Sequence, residues 1–388
     1  MPTWLIIQLV SIAAMPAVYD MARDRGRSTR AWLYIALIVA WVARTLMPAK
    51  NPGEFDLVGF GQIPLLANGR IKPIDTVARS SLLQLQGHQK VTAPLGEKLV
   101  ANPTEWLLDV AFRPEKADTY PIFAIDNVEL LALFEISEDS LKIAYTKPSD
   151  KIRAIVGSMP TRRGTFSVNE LRPHLGTLDQ QWQLARAVEP TLRTPFQRGV
   201  VQLYTNIIHY FQLRHAFMVP GRDDFLKDLL GLQDKITALR ADQAANRAID
   251  ENSSAIKELA DLGQTFMDTA ERTNFRVIPP APGAADPTAW ETVGTALFET
   301  FRTNRVEPTA LAYAGFAQAW RNNQPGQFNK LLELFRADLT KRFGPQLAKA
   351  QAEARFNAMD PFSTSMRIYI LAFLCAVKIG RASCRARV

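Results

Sequence analysis

The first 48 residues constrain this chain more than any other stretch. Residues 2–19, PTWLIIQLVSIAAMPAVY, carry no charge, and residues 31–47, AWLYIALIVAWVARTLM, carry only Arg44, near their end. As a helix at ~1.5 Å per residue the first run reaches about 27 Å, close to the ~30 Å hydrocarbon core of a bilayer. A cleaved signal peptide is the competing reading; it needs a positive stretch ahead of the apolar run, and there is none. Between the two segments lies DMARDRGRSTR, with Arg23, Arg25, Arg27 and Arg30. Basic residues in short loops stay on the cytoplasmic side, so the reading predicts a two-helix membrane anchor over 1–48 with the rest of the chain on the outer side.

The 388 residues leave room for a sizeable folded region after such an anchor. A chain that is 47% hydrophobic and 22% charged is ordinary for a folded protein. The formal charge of +8 raises nucleic acid as a partner, but Arg381, Arg385 and Arg387 crowd the extreme C-terminus and no basic stripe interleaved with aromatics occurs elsewhere. Nucleic-acid binding is therefore set aside. The two cysteines, Cys375 and Cys384, leave residues 1–374 without a disulfide, a redox pair or a thiolate metal site. The four histidines are scattered. On one helix His209 and His215 would stand about 240° apart, off a common face.

From 49 to about 366 the chain is soluble in character. Residues 49–150 read as a mixed α/β extracytoplasmic subdomain. Its elements are a helix at 102–112 with Thr104 as cap and Trp106, Leu107 and Val110 on one face, an extended piece Ile122–Ile125, a short helix capped at Asp126-Asn127, and a strand at 141–149. Residues 151–366 read as helical. Ser167 with Glu170 fits a capping box, Pro195 opens a long helix at 195–218, and 223–270 forms a helical pair broken near Asn252. Tyr204, Tyr210, Phe211 and Phe217 are assigned to the core. Residues 277–288 read as a Pro/Gly/Ala linker, followed by helices at 290–302, 308–322 and 328–343. The fold class is thus mainly α with a small α+β portion.

Residues 59–79, GFGQIPLLANGRIKPIDTVAR, hold the sharpest candidates. Asn68-Gly69 between apolar runs is a strong turn signal, Lys72-Pro73 imposes an extended step, and Asp75-Thr76 can cap the helix that follows. Arg70, Lys72 and Asp75 could meet lipid phosphates, haem propionates or another domain of the same chain. The competing reading is that they pin the turn and cap the helix. No nucleophile elbow, phosphate loop or metal spacing occurs, so no catalytic residue and no metal ligand is assigned and enzyme activity stays undecided.

Near the end, RIYILAFLCAV begins an apolar run at 367–378 that is too short to span a bilayer. It reads as the start of a truncated transmembrane helix. The last residues, 379–388, resemble a translated sequencing adapter and read as non-native; a native basic tail is the alternative.

These segments together resemble one family. NGRIKPIDTVAR, then EWLLDVAF, YPIFAIDN, TPFQRGVVQLY and NAMDPFSTSMRIYILAFL, look like the N-terminal and extracytoplasmic part of large cytochrome c biogenesis proteins with a CcsA-type (System II) assembly domain. The resemblance covers most of 50–375, and NGR-x-KP-x-D-T is its most specific piece. It implies a multi-pass inner-membrane protein with its large domain on the periplasmic side, with apocytochrome c and other assembly components as partners. It implies haem for the full-length protein and none for this fragment, because the tryptophan-rich haem-handling loop is absent here. A membrane-anchored sensor or scaffold built of helical hairpins is the reading from a different class.

Overall fold

The computed structural model describes residues 51, 53–92, 98–137, 141–143, 163–222, 224–245, 254–281, 286 and 288–362, with 365, 366, 369, 370 and 373. The apolar segments and arginine loop of 1–48, the expected strand beyond 143 and everything from 374 onward lie outside the described residues. Among the described residues no helix is long and apolar enough to cross a membrane.

Residues 51–351 form one compact unit, mainly helical with three small two-stranded antiparallel sheets among the described residues. It opens with α1 (Leu57–Gly61) and the hairpin β1 (Pro64–Ala67) and β2 (Arg70–Pro73), which runs straight into α2 (Ile74–Gln86). The strands β3 (Val91–Thr92) and β4 (Lys98–Val100) pair next, followed by α3 (Pro103–Phe112), α4 (Pro114–Ala117), β5 (Phe123–Ala124) and α5 (Val128–Leu133). Beyond them come β6 (Thr165–Phe166), α6 (Val168–Leu171), α7 (Leu175–Arg186), α8 (Pro195–Arg214), α9 (Phe225–Ala244) and α10 (Ser254–Glu271). The last elements are α11 (Val293–Phe298), α12 (Thr300–Thr303), α13 (Pro308–Arg321) and α14 (Pro325–Met359). Strands on either side of residue 150 join, since β5 pairs with β6 as Phe123↔Phe166 and Ala124↔Thr165.

At the centre is α3. The sequence predicts one apolar face, but every residue from Trp106 to Phe112 is buried, because α1, α2, α8 and α13 pack around it. A helix apolar nearly all round belongs inside. Its N-cap is Asn102, whose side chain accepts from the Thr104 amide at 2.9 Å, with Pro103 in the first turn. Thr104 is therefore the capped residue rather than the cap.

Other local signals resolve as read: Asn127 caps α5, Ser167 and Glu170 make a reciprocal capping box on α6, and Pro195 is the first residue of α8. The structure adds a second reciprocal box, Thr194 with Gln197, on α8. Two stretches differ. Val277 and Ile278, at the start of the expected linker, are buried, and Ile278 bridges Glu291, so helix resumes at Val293 rather than Trp290. The last helix continues past 343 across a kink, where Phe343 leaves helical geometry (φ −133°, ψ 37°) two residues before Pro345. A proline inside a helix clashes with the preceding turn and bends it.

The excess of arginine has a structural use. Arg113, at the end of α3, donates to the Trp320 and Arg321 carbonyls that end α13, and Arg321 donates back to Phe112 O at 2.6 Å. Arg193 donates to Ala185 O and Val188 O at the end of α7, and Arg240 to Phe301 O and Arg302 O at the end of α12. Helix C-termini leave carbonyls without intrahelical donors, and a guanidinium satisfies both the hydrogen bond and the dipole. These positive charges serve the protein's own backbone.

Of the second unit the described part is the end of α14 and helical residues up to 373. Phe362, Met366, Tyr369, Ile370 and Phe373 recur at helical spacing there, and all are exposed.

Candidate functional site

The hairpin predicted from Asn68-Gly69 is present as a two-residue turn, with Asn68 at φ 52° and Gly69 at φ 72°. Left-handed φ at both positions is what a type I′ hairpin turn requires. Register follows: Ala67 faces Arg70, Leu65 faces Lys72 and Pro64 faces Pro73. Asn68, Gly69 and Arg70 form an exposed tip, Lys72 is half-buried, and Pro73 and Asp75 are buried. The expected cap differs, because α2 begins at Ile74 and its N-cap, Pro73, makes no side-chain cap bond. Asp75 instead stands in the first turn, where a carboxylate suits the dipole, and holds Arg79 Nε at 2.8 Å.

Below the tip the block is a packed joint. A Cβ on Gly61 would lie 2.9 Å from Thr104 Oγ1 and 3.3 Å from Asp75 Cβ, so the ends of α1, α2 and α3 meet there. Leu66 exchanges both backbone hydrogen bonds with Arg276, at 2.9 and 3.0 Å, which ties β1 to a residue far along the chain. The arrangement can present a basic corner on Arg70 and Lys72, two positions apart on one strand. Its buried half serves the fold.

Two buried carboxylates were not singled out by sequence. Asp109, 0% exposed in the middle of α3, accepts from Tyr120 Oη at 2.6 Å and Trp320 Nε1 at 3.0 Å and pairs with Lys116 Nζ at 2.9 Å. Asp118 accepts from Tyr210 Oη at 2.9 Å and from Arg172 and Arg214 at 2.9 and 3.0 Å. Burial first, and then the accepting carboxylate, pushes both phenols well above their ordinary range. Glu105, one turn before Asp109, is also raised, by its own burial and then by Asp109. Both aspartates have their oxygens taken by charged and neutral donors, so the networks fix α3, α8 and α13 against one another. A signal for Asp109 was visible, as an acid inside the apolar run WLLDVAF. Asp118 had none, since its partners lie 54, 92 and 96 positions away.

Two of the histidines, His209 and His215, are engaged within the fold. His209 Nε2 meets Ser81 Oγ at 2.8 Å within the α2–α8 contact, where Asn206 also bonds Gln84, and Phe275 packs edge-on at 5.8 Å. His215 Nδ1 meets Phe211 O at 2.7 Å. Burial lowers both imidazoles below their ordinary value. His209 with Ser81 has the spacing of a nucleophile and its base, but Ser81 is buried inside α2 and no carboxylate orients the imidazole among the described residues. Nor do the described residues bring together three His, Cys, Asp or Glu side chains that could hold a metal ion.

No family model matches the chain, and a search of curated proteins finds no match.

Proposed function

We propose that residues 51–351 are the accessory extracytoplasmic part of a membrane protein of cytochrome c maturation, supporting or positioning apocytochrome near a haem-handling domain that follows in the same chain. The observation that carries this is the block NGR-x-KP-x-D-T at 68–76, followed in order by EWLLDVAF, YPIFAIDN, TPFQRGVVQLY and NAMDPFSTSMRIYILAFL. The packing of these segments supports it. Asp75 of the first meets the α1–α3 joint, Asp109 of the second bonds Tyr120 of the third, and a Cβ on Gly199 of the fourth would lie 3.5 Å from Asn127 Cβ of the third. The first four segments, between 68 and 204, thus lie in one packed unit.

In this reading the apolar segments of 1–48 anchor the domain, and the chain re-enters the inner membrane near residue 367. The exposed stripe Phe362, Met366, Tyr369, Ile370 and Phe373 supports that re-entry. The large domain then lies on the periplasmic side, and haem belongs to the full-length protein. Reading the gene past residue 377 tests the proposal. A tryptophan-rich, multi-helix membrane domain is expected there, and a cytoplasmic output domain would favour the sensor reading instead. Direct binding of apocytochrome peptide to the domain is the second expected result.

A further inference from the structure

The α7–α8 hairpin ends in a tip whose leucines no other described element covers. Its loop, 187–194, has a fixed shape. Leu192 N donates to Glu189 O at 2.9 Å, Arg193 Nε reaches both Ala185 O and Val188 O at 3.1 Å, and the Thr194–Gln197 box closes the start of α8. Pro190 and Pro195 stiffen it further. Yet this ordered loop holds Leu192 72% exposed, and Leu184, next to the Arg193–Ala185 bond, is 63% exposed. A leucine kept in water by a rigid loop is a pre-organised knob rather than a slack linker.

Two arginines flank the knob, and the nearby carboxylates have other partners, Asp179 being bonded to Tyr204. Arg186 is held over the Trp182 ring at 4.8 Å, and Trp182 stacks on Tyr204 at 4.2 Å and 12°. Arg198 is exposed in the first turns of α8, where a cation opposes the helix dipole and where no acidic residue compensates. Neither arginine pairs with a carboxylate among the described residues. The loop's one carboxylate, Glu189, accepts from Thr191 Oγ1 at 3.0 Å.

We propose that this tip is a docking surface for an acidic, leucine-bearing peptide segment of a partner protein. The partner's apolar side chain would pack on Leu184 and Leu192, and its carboxylates would meet Arg186 and Arg198. An anionic lipid surface is the weaker occupant, because two cations beside a glutamate, with no lysine and no outward tryptophan anchor, give it little hold. The inference stands apart from the cytochrome reading, since it follows from the tip alone.

The test uses the full chain in detergent and a fluorescent synthetic peptide of glutamate, leucine and alanine. A twin with lysine for glutamate and vesicles of phosphatidylglycerol are the comparison probes. The acidic peptide is expected to bind, to weaken as salt rises, and to lose about tenfold in affinity with Leu192→Ser or with Arg198→Gln. Leu230→Ser, at an exposed leucine on α9, should leave binding unchanged, and all three variants should keep the parent unfolding temperature. No binding of the acidic peptide, equal binding of the lysine twin, or equal binding by the tip variants overturns the proposal. Loss of vesicle binding alone in those variants also overturns it and assigns the tip to the membrane.

Discussion

A buried tyrosine hydroxyl stabilises a fold only where something accepts its proton, and this protein holds both outcomes. Tyr120 and Tyr210 donate to Asp109 and Asp118, whereas the fully buried Tyr313 hydroxyl has no partner among the described residues. Burial raises the Tyr313 phenol as it does the other two. Tyr120→Phe and Tyr210→Phe are expected to lower stability by about 1–3 kcal/mol each, because a buried carboxylate loses one of its donors. Tyr313→Phe should act in the opposite sense, by up to about 1 kcal/mol, since only an unsatisfied hydroxyl is removed. Denaturant midpoints at constant slope compare the three directly. The imidazoles make a second residue-level case. His209 and His215 are held below the ordinary value of 6.5, chiefly by burial. The folded state therefore favours their neutral forms, and the unfolded chain takes up protons first as pH falls. Their contribution is complete above 6.5 and shrinks as pH drops from there towards the folded values. Stability should fall as pH drops below 6.5, and His209→Gln should flatten that slope. An unchanged slope in the variant would mean that His209 keeps its ordinary affinity for protons.

At the scale of elements, helix ends and helix crossings set the fold. Arg113 and Arg321 cap each other's helices, so Arg113→Met and Arg321→Met remove two halves of one device. A double-mutant cycle is expected to show coupling of about 1 kcal/mol; additive losses would mean two independent caps. The α10–α11 crossing depends on Gly294, where a Cβ would sit 2.3 Å from Ala270 N and 2.4 Å from Phe266 O. Gly294→Ala should cost about 1–3 kcal/mol through backbone displacement. Gly176, on α7 with open space around it, should accept alanine with no loss, and thermal unfolding of the pair reads the contrast. The same scale explains what could be read from the chain beforehand. The Asn68-Gly69 turn, the Ser167–Glu170 box and Pro195 as a first helical residue were legible because each is settled within four residues. The cap of α3 was placed two residues late because Asn102 and Thr104 are both good caps and only Pro103 between them decides. The buried start of the 277–288 stretch and the Asp118 cluster were not legible, because their partners, Glu291 for the one and Arg172, Tyr210 and Arg214 for the other, lie outside any local motif. Of the candidate residues, sequence found the hairpin but not which half of it faces solvent, which depends on how α1 and α3 close under it.

For the unit as a whole, the decisive contacts join its two ends. Asn329 accepts from the Asp56 amide and donates to Glu54 O, each at 2.8 Å. Phe55 packs on Trp320 and Phe328 at 4.7 and 5.3 Å, and Phe60 on Phe316 and Phe328 at 5.3 and 5.5 Å. The central Asp109 takes one of its donors from Trp320, 211 positions on. A core closed by its first and last helices cannot form stepwise from one terminus, so contacts of this range predict slow, all-or-none folding. Residues 51–351 expressed alone should therefore melt in one sharp transition. Ending the chain at Asn323 keeps α1 through α13 and removes only α14, yet it uncovers Phe55, Phe60 and Phe316 together and leaves Asp56 without Asn329. Far-ultraviolet dichroism of that shorter chain should show helix, while its near-ultraviolet signal is lost and its thermal melt shows no cooperative transition. A sharp transition in 51–323 would mean that α14 is an appendage, and that the core is closed by α3 and α13 alone.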